Sequence, residues 1–360
     1  MNMLKLMTPG PTRVRENVRL ARSLETTNPD LDPTFYDYYK ETCELISKLL
    51  NTKNPAYILS GEGILGLEAA CASLTEPGDR VLVIDNGVFG RGFADFVRIY
   101  GGEPVLYTSD YQEAVDAAAL RDYLERDHAF KYATVVHCDT PSGRLNPIEE
   151  LCPLLKSYGI LTVVDAVASM FGEPVQVDDW KIDIVCGGSQ KALSAPVGLT
   201  FVTVSPDASR SMHARKVPVA SFYANLLNFE SYYQDQWFPY TMPISDIYGL
   251  RTALENVAAD KQIYERHQQV ADYVRQTLTQ AGYKIYGNSG YANTVTALEV
   301  PEGRQAKEIL DAVAKEAGIM LAGSFDVFAG KLIRIGHMGE NANMEDVKLT
   351  VEALLKVLSK

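Results

Sequence analysis

Between Ala56 and about Val204, short β-branched apolar runs alternate with longer stretches of helical period. The runs Ala56–Leu59, Val81–Ile84, Pro104–Tyr107, Ala133–His137, Leu161–Val164, Ile182–Cys186 and Leu199–Val204 read as buried strands, several ending in Gly, Ser or Asp. Alternation of this kind predicts an α/β fold, a mostly parallel sheet with helices on both faces. Tyr36 to Leu50 has helical spacing ahead of it. Residues 205–260 are less regular until a helix from about Ser245. A long helix from about 261 then leads into Thr294–Val300, Ala306–Ala317, Leu332–Ile335 and a terminal helix Met344–Leu358. The pattern divides the chain into an extended arm (1–20, with Pro9, Gly10 and Pro11), a large α/β domain (21–260) and a small C-terminal α+β domain (261–360).

Open α/β sheets bind ligands beyond the carboxyl ends of their strands, and Thr140, Asp165 and Lys191 all fall there. Lys191 follows a core strand, two glycines and Ser189-Gln190, and a Pro/Gly turn succeeds it. Partial burial disfavours an ammonium and lowers its pKa. Moving a lysine down by ~3 units takes ~4 kcal/mol of differential environment, after which the neutral amine can attack a carbonyl. Asp165 ends the run Leu161-Thr-Val-Val. Taken singly, the two residues read as a surface-turn lysine and a capping aspartate. Taken together, they are the amine and the acid that pyridoxal chemistry asks of a protein.

Composition adds bounds. The 360 residues, 46% hydrophobic and 22% charged, describe an ordinary globule able to bury a large core. A net charge of −12 argues against nucleic acid or an anionic membrane as partner. Five cysteines without CxxC spacing read as buried free thiols in a reducing compartment, with no metal site expected. The N-terminal apolar stretch is too short for a signal peptide, and no apolar run approaches the ~20 residues of a membrane span. The expected location is cytoplasmic.

The set Pro9-Gly10-Pro11, His137-Cys-Asp-Thr-Pro-Ser-Gly143, Val164-Asp165-Ala-Val-Ala-Ser169, Gly188-Ser-Gln-Lys191 and Ile333-Arg334-Ile-Gly336 resembles the class V aminotransferases, in particular their alanine–glyoxylate and serine–pyruvate branch. The motifs run in order along essentially the whole chain and are specific as a set. The resemblance implies the pyridoxal-phosphate transferase fold (type I) and a homodimer with a shared active site. It also implies transfer of an amino group to a small 2-oxo acid, pyruvate or glyoxylate, through a Lys191 Schiff base. Lys191, once freed, would be the general base, and Asp165 would keep the ring nitrogen protonated. Ser60, Gly61, Thr140, Gln190 and, from the other subunit, Thr241 match contacts to the phosphate or ring oxygen of pyridoxal 5'-phosphate. Phe89 matches the ring-stacking aromatic, Arg334 the substrate-carboxylate clamp, and Gly10 a backbone position beside the substrate. His137 reads as a satisfied core histidine.

Several positions depart from that pattern. Glu62 puts a carboxylate in the phosphate turn, and Phe238 stands where the branch has a phosphate-binding tyrosine. A carboxylate ~4 Å from a phosphate costs about 4 kcal/mol per unit charge at an effective dielectric of ~20. Around Glu62, Asp139–Gly143, Phe238–Thr241 and Arg334–Gly339 the strings look most like pyridoxamine–pyruvate transaminase, in which unphosphorylated pyridoxamine is a substrate. Two features pull the other way. Phe325 replaces a second arginine of that relative, and Gln190 is typical of phosphate-binding members. Glu62 also suits the first turn of a helix for its own sake. The donor therefore stands between a small L-amino acid and pyridoxamine. A lyase of the cysteine-desulfurase type would need a nucleophilic cysteine on a mobile loop, and a non-enzymatic binding protein should lack Lys191 or Asp165.

Overall fold

The computed structural model describes residues 4–360. Seven strands build its main sheet: β1 (Ala56–Ser60), β2 (Arg80–Asp85), β3 (Glu103–Thr108), β4 (Tyr132–Val136), β5 (Leu161–Asp165), β6 (Ile184–Gly188) and β7 (Leu199–Val204). Their order is β1-β7-β6-β5-β4-β2-β3. Only β7 runs antiparallel to its neighbours; the other pairs are parallel. The central strands β4 to β7 are buried almost throughout. That is why they read as continuous Val/Ile-rich runs: helices cover both faces.

All seven expected strands form, but β6 begins two residues later than its apolar run and takes in both glycines. The reason is Asp183. Its buried carboxylate accepts from the Thr162 amide (3.0 Å), Ser205 Oγ (2.7 Å) and Lys156 Nζ (2.6 Å), so the chain at 182–183 is committed to a polar anchor. Gly187 and Gly188 instead continue the ladder opposite Phe201 and Thr200. A Cβ at Gly187 would lie 2.3 Å from the Phe201 ring, so the strand needs glycine there to pack. Ser189, Gln190 and Lys191 thus follow directly from the strand's carboxyl end.

The small-residue helix Gly63–Leu74 lies against β7, close enough that a Cβ at Gly66 would sit 2.4 Å from Thr200 Oγ1. A second hydrophobic cluster gathers Val270, Ile309, Ile333 and Val351. It joins the helices Ile263–Gln280, Ala306–Ala317 and Met344–Leu358 to a three-stranded antiparallel sheet of Val295–Glu299, Leu332–Gly336 and Ala322–Gly323. The N-terminal segment is only partly extended. Lys5–Leu6 pairs in parallel with Ile319–Met320, whereas Glu16–Ala21 is helical and packs on the helix Ile244–Ala259. Among the described residues no helix is long and apolar enough to cross a membrane.

Candidate functional site

A cavity of about 360 Å³ opens at the carboxyl ends of β5 and β6, with Gly10, Glu62, Phe89, Thr140, Asp165 and Lys191 among its walls. Its size is at the small end for a site that encloses a small molecule. Asp165 closes β5 in register with Cys186 of β6 and is only 5% exposed. One oxygen accepts the Val167 amide at 2.9 Å. Burial pushes its carboxyl up to about 7, against the opposing pull of that hydrogen bond and of Lys191. Lys191 is pulled the other way. Burial, reinforced by the charge of Arg334, brings its ammonium down to about 8, while Cys138, Asp165 and Glu62 oppose the shift. At neutral pH roughly a tenth of such an amine is neutral, against well under a thousandth of an ordinary lysine. Its Nζ donates to the Pro9 carbonyl at 2.7 Å.

The mouth is built by the turn into the helix Gly63–Leu74. Glu62 is the N-cap of that helix, and its Oε1 accepts the Ile64 amide at 3.0 Å. Its Oε2 accepts from Gln190 Nε2 at 3.0 Å. The carboxylate therefore occupies the positive end of the helix, where an outside anion would otherwise bind. Gln190 Oε1 is buried and has no hydrogen-bond partner. The Gly61 amide is committed to the Gly198 carbonyl (2.8 Å) and the Ser60 amide to the Tyr240 hydroxyl (3.3 Å). Neither Ser60 nor Gly61 lines the cavity.

Phe89 also lines the cavity. Its amide donates to Asp139 Oδ1 at 3.1 Å, and its ring meets Phe325 edge-on at 5.9 Å. Arg334, on the strand Leu332–Gly336, is 8% exposed and lies behind Thr140. It donates to the Gly323 carbonyl through Nε (2.9 Å) and Nη2 (2.7 Å), and to the Thr140 carbonyl through Nη1 (3.3 Å). The Phe325 ring lies 5.4 Å from the guanidinium. Burial lowers its pKa to about 10, and among the described residues it forms no ion pair. Three of its five N–H groups are used, which leaves two; Arg334 itself is not among the residues lining the cavity.

The cavity thus suits a flat ring carrying a basic nitrogen and a carbonyl. Asp165 can meet the nitrogen, Phe89 can cover a face, and Lys191 can reach the carbonyl. Thr241 is not part of this chain's own cavity: it is exposed and donates to Asp30 at 3.0 Å. Phe238, placed by motif at a phosphate position, is a core residue stacked on Tyr36 at 4.6 Å. Two residues on, Tyr240 reaches the turn instead. His137 is buried beside Trp180 and outside the cavity; its Nδ1 lacks a partner, and burial drops its pKa to about 3. Sequence reasoning missed Cys138, Val167 and Val197 as wall residues, and Asp139 beneath Phe89. For Asp139 a signal existed: its motif serine returns to it, Ser142 Oγ to Oδ2 at 2.6 Å.

The aminotransferase class-V family model matches residues 20–347. Pyridoxamine–pyruvate transaminase of Mesorhizobium japonicum is 34% identical over 342 residues, covering 93% of this chain and 86% of that protein. (S)-ureidoglycine–glyoxylate transaminase of Bacillus subtilis is 30% identical, covering 98% and 90%. Among solved structures, pyridoxamine–pyruvate aminotransferase from Mesorhizobium loti superposes with a TM-score of 0.95 at 32% identity, covering 100% of this chain and 93% of that one. Ureidoglycine–glyoxylate aminotransferase from Bacillus subtilis does so at 0.95 and 30%, covering 99% and 93%.

Proposed function

Because the chain belongs to the class V aminotransferases, a family of pyridoxal-dependent transaminases, we infer that it passes an amino group to a small 2-oxo acid, pyruvate or glyoxylate, with Lys191 as the reacting amine. One observation carries this reading: Lys191 and Asp165 line the same small cavity, where burial lowers the pKa of the amine and raises that of the acid. The bound ring supplies an electron sink for the proton shift between donor and acceptor carbons. This chain's residues do the rest. Asp165 holds a proton at the ring nitrogen, Phe89 fixes the plane of the ring, and Arg334 holds the acceptor carboxylate through its two spare N–H groups. Lys191, released, carries the proton from carbon to carbon. The test is direct: purified protein with donor, a vitamin B6 aldehyde and either pyruvate or glyoxylate should yield alanine or glycine respectively, and neither product from any donor would overturn the reading.

The donor is a small L-amino acid if the ring is phosphorylated. A specific observation favours pyridoxamine. Glu62 already fills the helix N-terminus and holds the Gln190 amide nitrogen, so neither donor is left to meet an anion. An alcohol can donate its one O–H to Glu62, whereas a phosphate dianion has no proton to give and is repelled. Adding pyridoxal and, separately, its phosphate to cofactor-free protein separates the two donors: much tighter binding of the phosphate removes pyridoxamine.

We also propose a homodimer in which Thr241 completes the partner's site; its exposed position, and the exposed Ile64 and Val197 at the cavity, support this. A large domain to about 260 and a small one beyond accord with the two hydrophobic clusters. The five buried free cysteines support a reducing, cytoplasmic setting. They also weigh against a desulfurase, since the one in the cavity, Cys138, has its thiol pushed up to about 12 by burial.

A further inference from the structure

The arm ahead of the main sheet crosses directly over the reacting lysine. Met7 is bound on both sides: its amide donates to the Met320 carbonyl (2.9 Å), and its carbonyl accepts the Gly336 amide (2.8 Å), two residues beyond Arg334. A Cβ at Gly336 would lie 2.1 Å from the Thr8 carbonyl oxygen, so the arm is pressed onto that strand. Arg13 and Lys5 both pair with Asp346. The other side of the arm grips the Lys191 loop. The Thr12 amide donates to the Gln190 carbonyl (3.0 Å) and its hydroxyl to the Lys191 carbonyl (2.9 Å). Between these anchors the Pro9 carbonyl receives Lys191 Nζ. Gly10, at φ +94°, leaves no room for a side chain: a Cβ would sit 2.5 Å from Lys191 Cδ and 2.9 Å from Nζ.

We propose that residues 7–12 are a positioning element for Lys191: the arm shields one side of a lysine that is otherwise open to the cavity, and its Pro9 carbonyl is the acceptor that holds the amine when it is not bonded to carbon. The inference rests on Lys191 being the reacting amine. An ammonium covered by backbone and given a single carbonyl is poorly solvated, so the arm itself helps to keep the amine reactive. Lifting the arm costs the lysine one acceptor but admits water. Burial is the leading cause of the depressed pKa, so admitting water should raise it. The strand that carries Arg334 and the carbonyl that parks Lys191 are then joined through only the Gly336–Met7 bond and two arm residues.

The test uses cofactor-free full-length protein and pyridoxal, with the adduct fixed by borohydride and located by mass spectrometry across a pH series. In the parent chain, capture at Lys191 should have its midpoint near the lysine's own pKa of about 8. In Gly10→Ala the added methyl must move the arm or the lysine. The midpoint should rise by ~1 unit, with about tenfold slower capture at neutral pH. Thr12→Val keeps the side-chain shape and loses only the hydroxyl contacts; it tests the same point should Gly10→Ala not fold, with a smaller rise expected. Profiles that superimpose on the parent's in every folded variant overturn the inference and leave the transaminase reading standing. Absence of any adduct at Lys191 in the parent chain overturns both.

Discussion

Two carboxylates of one cavity sit in opposite circumstances. Asp165, at the floor, has a single backbone N–H, and burial pushes it up to about 7. Glu62, at the mouth, has each oxygen satisfied by its own chain, one by the helix amide of Ile64 and one by Gln190. The floor is left wanting a cation and the mouth is not. An unsatisfied acid is placed to hold a charged ring nitrogen, which draws electrons into the ring. A satisfied one does no such work and instead decides which substituent of the ring is tolerated. On the function proposed above, the floor would carry the chemistry and the mouth the choice of ligand, and substitutions should separate the two.

The largest effects belong to the floor. Lys191→Ala should lower turnover at least about 10⁴-fold, since it removes both the nucleophile and the proton carrier; full turnover in that variant would break the comparison outright. Asp165→Asn should cost about 10²–10³-fold in turnover by removing a fixed charge from the ring nitrogen. It should also stabilise the cofactor-free protein. An acid whose folded pKa is raised binds more protons folded than unfolded between its ordinary value near 4 and about 7. Stability therefore falls as pH rises through that window. Relieving this should add about 1–3 kcal/mol at a pH of about 8 and nothing below about 4, read from denaturant unfolding at the two pH values. A variant equally destabilised at both would mean that Asp165 holds the fold rather than the ring.

The mouth predicts a change of preference without loss of chemistry. Glu62→Gln keeps an oxygen to cap the Ile64 amide while removing the charge. The affinity for pyridoxal phosphate relative to pyridoxal should rise about 100-fold, most of the ~4 kcal/mol that one charge at ~4 Å exerts, with the alanine yield from pyridoxamine falling. An unchanged ratio in titrations of the cofactor-free variant would mean that the carboxylate never faces the phosphate position.

How far the sequence exposed all this depended on range. The helices Ala306–Ala317 and Met344–Leu358 match the apolar period to the residue, because local devices end them: Gly318 in a left-handed turn closes the first, and Asn343 caps the second. The strand before Lys191 was misjudged by two residues because Asp183 is claimed by Thr162 and Ser205, partners far off in sequence. In the site, Asp165 and Lys191 were legible because strand ends mark them. The Pro9 carbonyl was not, since a backbone oxygen leaves no trace in side-chain identity. Phe238 misled for a related reason. Motif spacing located the segment, but four aromatic neighbours, Phe35, Tyr36, Tyr39 and Tyr232, drew that ring into the core and left Tyr240 to reach Ser60.

The smallest expected effect tests whether Arg334 belongs with the floor or with the mouth. Its guanidinium is buried, unpaired among the described residues, and already spends three N–H groups on the Gly323 and Thr140 carbonyls. Those bonds fix its plane, so the remaining two can meet a carboxylate without further ordering. Arg334→Lys keeps the charge and loses the fork. An acceptor that merely needs a nearby cation would hardly notice. One gripped by two parallel hydrogen bonds should lose one charge-assisted bond, about 1.4 kcal/mol or tenfold in KM for pyruvate, with kcat for a saturating acceptor little changed. Competition by acetate, a carboxylate with no carbonyl to react, should weaken by the same factor. If instead kcat falls and KM holds, the arginine acts on the reacting atoms through its influence on Lys191, and it belongs to the floor.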